Sequence, residues 1–159
     1  MGKINSRAKG AAGEREFIKE LGLYLGDEAV AGLKRNLEQT RVGGHDIVGL
    51  DGWAIEIKRY RAIKEGDIVK FWDQAVEQSE RVGAKPVLAY REDFRSWRVR
   101  VHMSELMPCM RWPGVEWTAE LGMEAFAALV REQMGCGLRM QEPPTTVASI
   151  SDGQVATPK

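Results

Sequence analysis

The sequence of 159 residues predicts one α/β domain, built from helices that alternate with short strands. Three observations lead to this prediction. Residues 6–25 carry apolar side chains at helical spacing, and residues 45–60 contain two β-type runs around an Asp-Gly turn. A second helical pattern over residues 67–82 is followed by a β-type run at 87–91. A looser, glycine-containing segment between the first helix and the turn has room for a short strand near 35–40.

The first predicted helix carries a carboxylate on its apolar face. Its apolar stripe consists of Phe17, Ile18, Leu21 and Leu25. Glu14 precedes this stripe by three residues and therefore belongs to the same face of the helix. A carboxylate that faces the core is costly unless it is paired or metal-bound. The alternative is a glutamate at the edge of the stripe that reaches solvent.

The two β-type runs around the turn contain Asp46, Glu56 and Lys58. Lys58 lies two residues after Glu56 and projects from the same strand face, because side chains alternate along a strand. Magnesium binds one or two carboxylates and keeps its other positions for water and phosphate. Two acids and a lysine on one sheet face are therefore the groups that metal-assisted phosphodiester hydrolysis requires.

The length of the turn decides whether Asp46 and Glu56 can share a face. A two-residue loop would place the two carboxylates on opposite faces. A three-residue loop that ends at Gly52, with this glycine in the left-handed conformation, places Asp46 opposite Glu56. We predict the three-residue loop, which also gives a common buried face to Ile47, Trp53, Ile55 and Ile57.

The second helix is predicted to be capped by Asp67 and to end before Gly83. Its predicted buried stripe consists of Ile68, Phe71, Trp72, Ala75, Ser79 and Val82. Aromatic residues at this spacing favour a core stripe over a platform for stacked bases.

The C-terminal half is predicted to add a strand, a helix and a tail. Residues 97–103 alternate between apolar and polar side chains, which is typical of a strand with one buried face. After an irregular segment, Thr118 is predicted to cap a helix that runs to Met134 and contains Leu121, Phe126, Leu129 and Val130. Residues 135–159 are rich in Pro, Thr, Ser and Gly and are expected to form a flexible tail.

Net charge alone gives no support for a nucleic-acid partner, because the chain has 23 basic and 23 acidic residues. Their distribution is more informative. Residues 1–100 hold 19 Lys/Arg against 16 Asp/Glu, whereas residues 101–159 hold 4 against 7. A basic stripe near residues 58–64 is compatible with DNA binding. An ordinary solvated surface explains the same charges equally well.

The sequence gives no sign of a membrane or secreted location. No run approaches the roughly 18 apolar residues of a membrane span, and the first residues lack the apolar core of a signal peptide. Cys109 and Cys136 are too few for a disulfide framework or a zinc site. A reducing cytoplasm is the predicted location, in a bacterial host cell if the chain is encoded by a phage.

Three segments of the sequence resemble parts of a known nuclease superfamily, and the last of them, Ala84-Lys-Pro-Val-Leu-Ala-Tyr-Arg91, resembles its fourth strand. Asp46, nine intervening residues and then Glu56-Ile57-Lys58 resemble the PD-(D/E)XK signature. The segment Lys9-Gly-Ala-Ala-Gly-Glu14-Arg15-Glu16 is similar to the first helix of archaeal-type Holliday-junction resolvases. The resemblance covers about residues 6–103, and it departs from the signature at Gly44-His45, where a proline is usual.

This resemblance implies a restriction-endonuclease-like αβββαβ core with a mixed central sheet, here with an extra C-terminal helix. The nuclease domain would span residues 1–134, with a core at 6–103 and a helical extension at 104–134. Mg²⁺, or Mn²⁺ in its place, would be held by Asp46, Glu56, the Ile57 carbonyl and Glu14. Lys58 would orient the attacking water.

The implied activity is a metal-dependent, structure-selective DNA endonuclease that acts as a homodimer on branched DNA. DNA contacts are expected from Lys9, Arg15, Arg59, Arg61 and Gln74. For Gln74, an exposed residue without a role is an equally good interpretation. The alternatives to this activity are another nuclease of the same superfamily and a DNA-binding module without catalysis. Trp112, Val115 and Trp117 could cover a partner or fold back on their own chain.

Overall fold

A mixed β-sheet with helices on both faces organises the protein. The computed structural model describes residues 6–37, 44–110 and 112–139. The helices are α1 (Ser6–Leu25), α2 (Asp27–Gly32), α3 (Glu65–Val82) and α4 (Met123–Arg139). The strands are β1 (Lys34–Arg35), β2 (Ile47–Val48), β3 (Trp53–Tyr60), β4 (Lys85–Glu92), β5 (Arg98–His102) and β6 (Thr118–Gly122). Two short 3₁₀ turns lie at Met103–Glu105 and Val115–Trp117.

Within the described residues, the six strands lie in the order β1-β2-β3-β4-β5-β6. Strands β3 and β4 are parallel, and the other neighbouring pairs are antiparallel. Parallel neighbours need a crossover connection, and α3 supplies it. The order α1, β1, β2, β3, α3, β4 is the predicted αβββαβ core. The predicted mixed sheet and extra C-terminal helix are therefore confirmed.

The two faces of the sheet carry different helices. On one face, α1 and α4 pack over the main apolar core, which includes Phe17, Leu21, Ile55, Val99 and Phe126. On the other face, α3 covers a smaller cluster that includes Ile68, Trp72, Leu88 and Tyr90. Because side chains alternate along β3, each residue of this central strand faces one of these two layers.

Helix α1 has the predicted bounds, and its apolar stripe is buried as predicted. Phe17 and Leu21 are fully buried, and Ile18 packs at the edge of the core. Gly13 lies against the sheet, because a Cβ atom built there would be 3.2 Å from the Cβ of Arg59. This close approach explains a glycine whose cost in a helix is about 1 kcal/mol relative to alanine.

The β2–β3 hairpin has the predicted three-residue loop. Ile47 lies opposite Ile55, and the Trp53 amide donates to the Leu50 carbonyl at 3.2 Å. Gly52 has a φ of +80°, in the left-handed region. One residue further along each strand, the same register places Asp46 opposite Glu56. The predicted buried face is also confirmed, since Ile47, Trp53 and Ile55 lie in the main core and Ile57 packs against it.

Helix α3 begins two residues earlier than predicted. Asp67 is the third helical residue, and its side chain accepts a hydrogen bond at 3.0 Å from the backbone amide of Lys64, which precedes the helix. Asp67 therefore caps the helix from inside its first turn, and not from the position before the helix. Gly83 ends the helix in the left-handed conformation, as predicted. The predicted stripe was wrong at Val82, which is 51% exposed, and it omitted Gln78, which is buried.

The predicted start of the C-terminal helix was wrong. Thr118 to Gly122 form strand β6, which pairs with β5 from His102↔Thr118 to Arg98↔Gly122, and the helix begins at Met123. Leu121 consequently lies in a strand. The open edge of β5 offers unpaired backbone groups, and pairing with them outweighs the helical preference of Ala, Glu and Leu.

Helix α4 ends five residues later than predicted, at Arg139 instead of Met134. Phe126 and Val130 are fully buried in the main core, and Leu129 packs against it. Most of the predicted flexible tail, residues 140–159, lies outside the described residues. Among the helices that the structure describes, none has the length and apolar character to span a membrane.

Candidate active site

Glu56 is a buried carboxylate at the centre of the sheet. It lies on β3, opposite Leu88 of β4, and only 2% of its surface is exposed. Ile55 before it and Ile57 after it face α1, so the alternation of side chains turns Glu56 toward α3. A buried carboxylate is costly unless hydrogen bonds or a cation compensate for the lost water.

Lys58 and Gln74 supply these compensating contacts. The Lys58 ammonium lies 2.5 Å from Oε1 of Glu56 and donates to Oε1 of Gln74 at 2.9 Å. The Gln74 amide nitrogen donates to the same Glu56 oxygen at 2.7 Å. Gln74 projects from α3 and is half-buried, so these contacts exclude the interpretation of an exposed residue without partners.

Asp46, the residue immediately before β2, lies beside the same part of β3. It is buried, and its Oδ2 accepts a hydrogen bond at 2.6 Å from the backbone amide of Ile57. The Asp46 amide donates to the Ile55 carbonyl at 2.8 Å. Both contacts hold the Asp46 side chain beside the backbone that joins Glu56 to Lys58.

The donor groups of this site fit a hard divalent cation. The second carboxylate oxygen of Glu56, Oε2, is buried and has no hydrogen-bond partner. Magnesium needs only one or two carboxylates beside water and carbonyl ligands, which is the number that Asp46 and Glu56 offer, and the Ile57 carbonyl as a third ligand stays a prediction.

Glu14 stands apart from this donor set in the structure. Its side chain forms an ion pair with Arg35 of β1 and is 15% exposed. Within the described ranges, no group of three or more His, Cys, Asp or Glu side chains could hold a metal ion. The role of Glu14 as a further ligand stays a prediction.

His45 precedes Asp46 in this region, and no role is predicted for it. Its Nδ1 atom is buried without a hydrogen-bond partner. Burial lowers the pKa of His45, and the Glu56 carboxylate opposes this shift. Asn36 fixes the neighbouring backbone, since its side chain donates to the His45 carbonyl at 3.0 Å and its amide donates to the Asp46 carbonyl at 2.8 Å.

The predicted DNA-contacting cations divide into paired and exposed groups. Lys9 lies 2.8 Å from Asp93, and Arg59 lies 2.9 Å from Glu16. Arg15 and Arg61 are exposed. A groove with a volume of about 390 Å³ is lined by Lys9, Gly10 and the residues from Ile57 to Arg61. The end of β3 that follows Lys58 therefore opens onto a groove with basic walls.

Trp112, Val115 and Trp117 partly fold back on their own chain. Val115 packs against the apolar cluster under α3. The rings of Trp112 and Trp117 contact each other, with centroids 4.7 Å apart, while Trp112 stays 53% exposed. The interpretation that these residues return to their own chain therefore holds for Val115.

Comparison with known proteins agrees with the resemblance in the sequence. A family described as "Phage putative PDDEXK endonuclease" matches residues 5–111. Hjc, a Holliday junction resolvase from the archaeal hyperthermophile Archaeoglobus fulgidus, is a similar solved structure. It shares 18% identity, with 75% of this chain and 96% of that chain covered and a TM-score of 0.40. No curated protein sequence gives a significant match.

The family match covers α1, the β2–β3 hairpin, α3, β4 and β5. It therefore includes Asp46, Glu56 and Lys58, the three residues of the hairpin that form the candidate site. The chain belongs to the family of phage PDDEXK endonucleases.

Proposed function

We propose that this protein is a metal-dependent, structure-selective DNA endonuclease that hydrolyses phosphodiester bonds in branched DNA. The observation that carries the proposal is the contact of Lys58 with the buried Glu56 carboxylate, with Asp46 opposite on the neighbouring strand. Lys58, which contacts Glu56, also lines the basic groove. This combination binds an anionic phosphodiester and offsets charge in the transition state.

Asp46, Glu56 and the Ile57 carbonyl would hold the cation, which we propose to be Mg²⁺, with Mn²⁺ as a substitute. When bound, such an ion polarises the phosphate and lowers the pKa of a coordinated water. Lys58 has a separate task. Its ammonium is held by Glu56 and Gln74, which leaves one N–H to orient the attacking water or to contact a phosphate oxygen.

The basic groove would position the DNA backbone at this site. Lys9 and Arg59 are each in contact with a carboxylate, so their positions are fixed. Arg61 and Arg15 are exposed and free to follow a phosphate. Guanidinium groups bind phosphate oxygens in pairs of hydrogen bonds, which suits them to this task.

The test is cleavage of a four-way junction and of a linear duplex of the same sequence, each with and without Mg²⁺. Wild-type protein should cut the junction selectively and only with the metal. Asp46→Asn and Glu56→Gln should abolish cleavage while they retain DNA binding, because charge stabilisation worth several kcal/mol is lost at the transition state.

Asp51→Asn is the matched control, since this carboxylate lies in the loop of the same hairpin and is exposed. It should cut at the wild-type rate. Equal cutting of junction and duplex would identify a general nuclease of the same superfamily. DNA binding without cleavage in Mg²⁺ or Mn²⁺ would identify a binding module, and near wild-type cutting by Glu56→Gln would refute the assigned site.

A further inference from the structure

Phe94 is exposed and stands on a strained backbone at the tip of the β4–β5 turn. Its relative exposure is 105%, so the ring packs against nothing in the described structure. Its φ is +64°, which makes it the one described non-glycine residue with a positive φ. Bulky residues rarely adopt this conformation, and strained backbone is concentrated at functional sites. Neither feature contributes to the stability of the fold.

The surroundings of Phe94 are basic. Phe94 borders a concave surface between the first turns of α1 and the β4–β5 turn, whose charged residues are Lys9, Arg59, Arg91 and Asp93. The groove at the end of β3 shares Lys9 and Arg59 with this surface. The two surfaces therefore adjoin at Lys9 and Arg59, and together we call them the basic path, which extends from Phe94 to Lys58.

The charges along this path favour a polyanion. Five cations line it, namely Lys9, Lys58, Arg59, Arg61 and Arg91. Three carboxylates lie among them: Asp93 contacts Lys9 and Arg59, Glu16 contacts Arg59 and Arg91, and Glu56 contacts Lys58. These ion pairs fix the cations in place without cancelling their excess charge. A second copy of the same basic surface would be repelled here.

The distance from Glu56 to the β4–β5 turn can be estimated from the strand register. Leu88 is the register partner of Glu56, and Glu92, the last residue of β4, lies four residues beyond it. Four residues of strand extend about 13 Å, so Phe94 lies further than this from the reacting centre. It is thus placed to contact DNA several nucleotides from the scissile phosphate.

We propose that Phe94 stacks on an unpaired base where the strands of branched DNA separate, while the groove holds the phosphates that lead to the active site. This inference rests on the proposed nuclease function and names the device that would make it structure-selective. A phenyl ring has no hydrogen-bonding groups, so it accepts the face of any base. It would therefore recognise an unstacked base and not a sequence.

The test measures DNA affinity in EDTA, where no cleavage occurs, with Phe94→Ala, Phe94→Tyr and Phe94→Leu. The probes are a four-way junction with 2-aminopurine at the branch point and a linear duplex of the same sequence. Phe94→Ala should weaken junction binding roughly 5- to 150-fold, the value of one stacked base, and change duplex binding by less than about twofold. It should also lose the change in 2-aminopurine fluorescence that wild-type protein produces.

The other two variants separate stacking from simple apolar contact. Phe94→Tyr should behave as the wild type, and Phe94→Leu should behave as Phe94→Ala. Because the ring packs against nothing, the thermal unfolding temperature of the three variants should differ from that of the wild type only by the effect of the strained backbone at this position. Leu23→Ala, which alters another exposed large apolar side chain, is the control and should leave junction affinity unchanged.

Several outcomes would overturn the inference. These are unchanged junction affinity in Phe94→Ala, an equal loss on junction and duplex, full rescue by leucine, or loss of self-association on sedimentation. Wild-type protein that binds neither DNA would instead refute the proposed function. Wild-type protein that cuts junctions, with Phe94→Ala indistinguishable from it, would refute only the stacking role.

Discussion

Glu56, Lys58 and Gln74 depend on one another for their positions. Glu56 is almost fully buried, and the Lys58 and Gln74 side chains both donate to its Oε1 atom. Gln74 also accepts from Lys58, so the three side chains close a ring of hydrogen bonds. Such a network orients the lysine and leaves Glu56 Oε2 available to a cation.

We predict that Gln74→Met will reduce the cleavage rate by about 10- to 100-fold, the usual effect of removing a residue that orients a metal ligand. Methionine has a similar length but makes neither hydrogen bond, so the Glu56 carboxylate and the Lys58 ammonium lose a common partner. The Mg²⁺ concentration for half-maximal activity should rise as well. Initial rates over a Mg²⁺ titration measure both effects.

Gln133→Met is the matched control for this variant. Gln133 bridges Lys85 and Glu105 as Gln74 bridges Lys58 and Glu56, with Nζ–Oε1 and Nε2–Oε2 distances of 2.5 and 3.2 Å. It is equally half-buried and lies away from the site. Its removal should leave the rate and the Mg²⁺ dependence unchanged. Equal effects of the two substitutions would show that Gln74 has only a structural role.

At the scale of elements, the β2–β3 hairpin is held against α2 by a close backbone contact. A Cβ atom built on Gly49 would lie 1.9 Å from the carbonyl oxygen of Gly32, and Gly49 has a φ of +98°. Alanine at this position therefore meets both a backbone clash and an unfavourable conformation. We predict that Gly49→Ala lowers the free energy of unfolding by at least about 3 kcal/mol, measured by urea denaturation.

Gly52→Ala separates these two causes. Gly52 has a φ of +80°, but a Cβ atom built there meets nothing within 4 Å. Its substitution should cost only the left-handed conformation, about 1–2 kcal/mol. If both alanine variants lost the same stability, the contact between Gly49 and Gly32 would have no energetic importance.

A second contact joins α1 to the β4–β5 turn. The Lys9 ammonium lies 2.8 Å from the Asp93 carboxylate, and its hydrogen bond, with the nearby charges of Lys9 and Arg59, lowers the pKa of Asp93. A carboxyl group whose pKa is lower in the folded state stabilises the fold when ionised. This contribution is complete above the ordinary carboxyl pKa and is lost as the pH falls through the lower, folded value.

We therefore predict that Lys9→Met is less stable than wild type at neutral pH, and that the difference shrinks as the pH falls below about 4. Urea unfolding at a series of pH values from neutral to acid measures it. Lys19→Met, on an exposed position of the same helix, should show no such pH-dependent difference. A difference for Lys9→Met that persists unchanged in acid would mean that its origin is not the charge of Asp93.

The elements that the sequence predicts well are those in which local signals agree. Phe17 and Leu21 mark the buried face of α1, and Gly83 ends α3. At the hairpin, the requirement that Asp46 and Glu56 share a face selected the three-residue loop, and Gly52 has the conformation that this loop demands. The alternation of side chains along the hairpin was therefore sufficient to predict where the candidate site lies.

The elements that the sequence predicts poorly depend on distant partners. Strand β6 exists because β5 presents an edge, and Leu121 alone gives no local sign of it. The contacts of Gln74 depend on how α3 lies over β3, which helical periodicity does not fix. The ion pair between Glu14 and Arg35 likewise requires the position of β1, which only the tertiary structure supplies.

At the scale of the whole molecule, the main core and the candidate site lie on opposite faces of the sheet. The main core lies on the α1 and α4 face, whereas Glu56, Lys58 and Gln74 lie on the α3 face. The basic path follows the end of the sheet where β3 and β4 finish. In the proposed function, a single site accommodates one scissile phosphate and therefore cuts one strand.

The last prediction follows from this limit. Resolution of a four-way junction requires cuts in two strands, so we predict a symmetric homodimer, in which a two-fold axis presents two identical sites. Sedimentation at micromolar concentration, alone and with a junction, should give the mass of a dimer. Trp112, Leu106 and Met107 are exposed apolar side chains that a partner could cover.

Mixing of subunits tests whether both sites act in one complex. Wild-type protein mixed with an excess of Lys58→Met should form mixed dimers, which retain one intact site and cut only one strand. Junctions would then accumulate as nicked products in place of two resolved duplexes. The same excess of Asp51→Asn, which alters only an exposed turn carboxylate, should leave resolution unchanged. A protein that stays monomeric with and without the junction, and still cuts it, would be a general nuclease with no need for a second subunit.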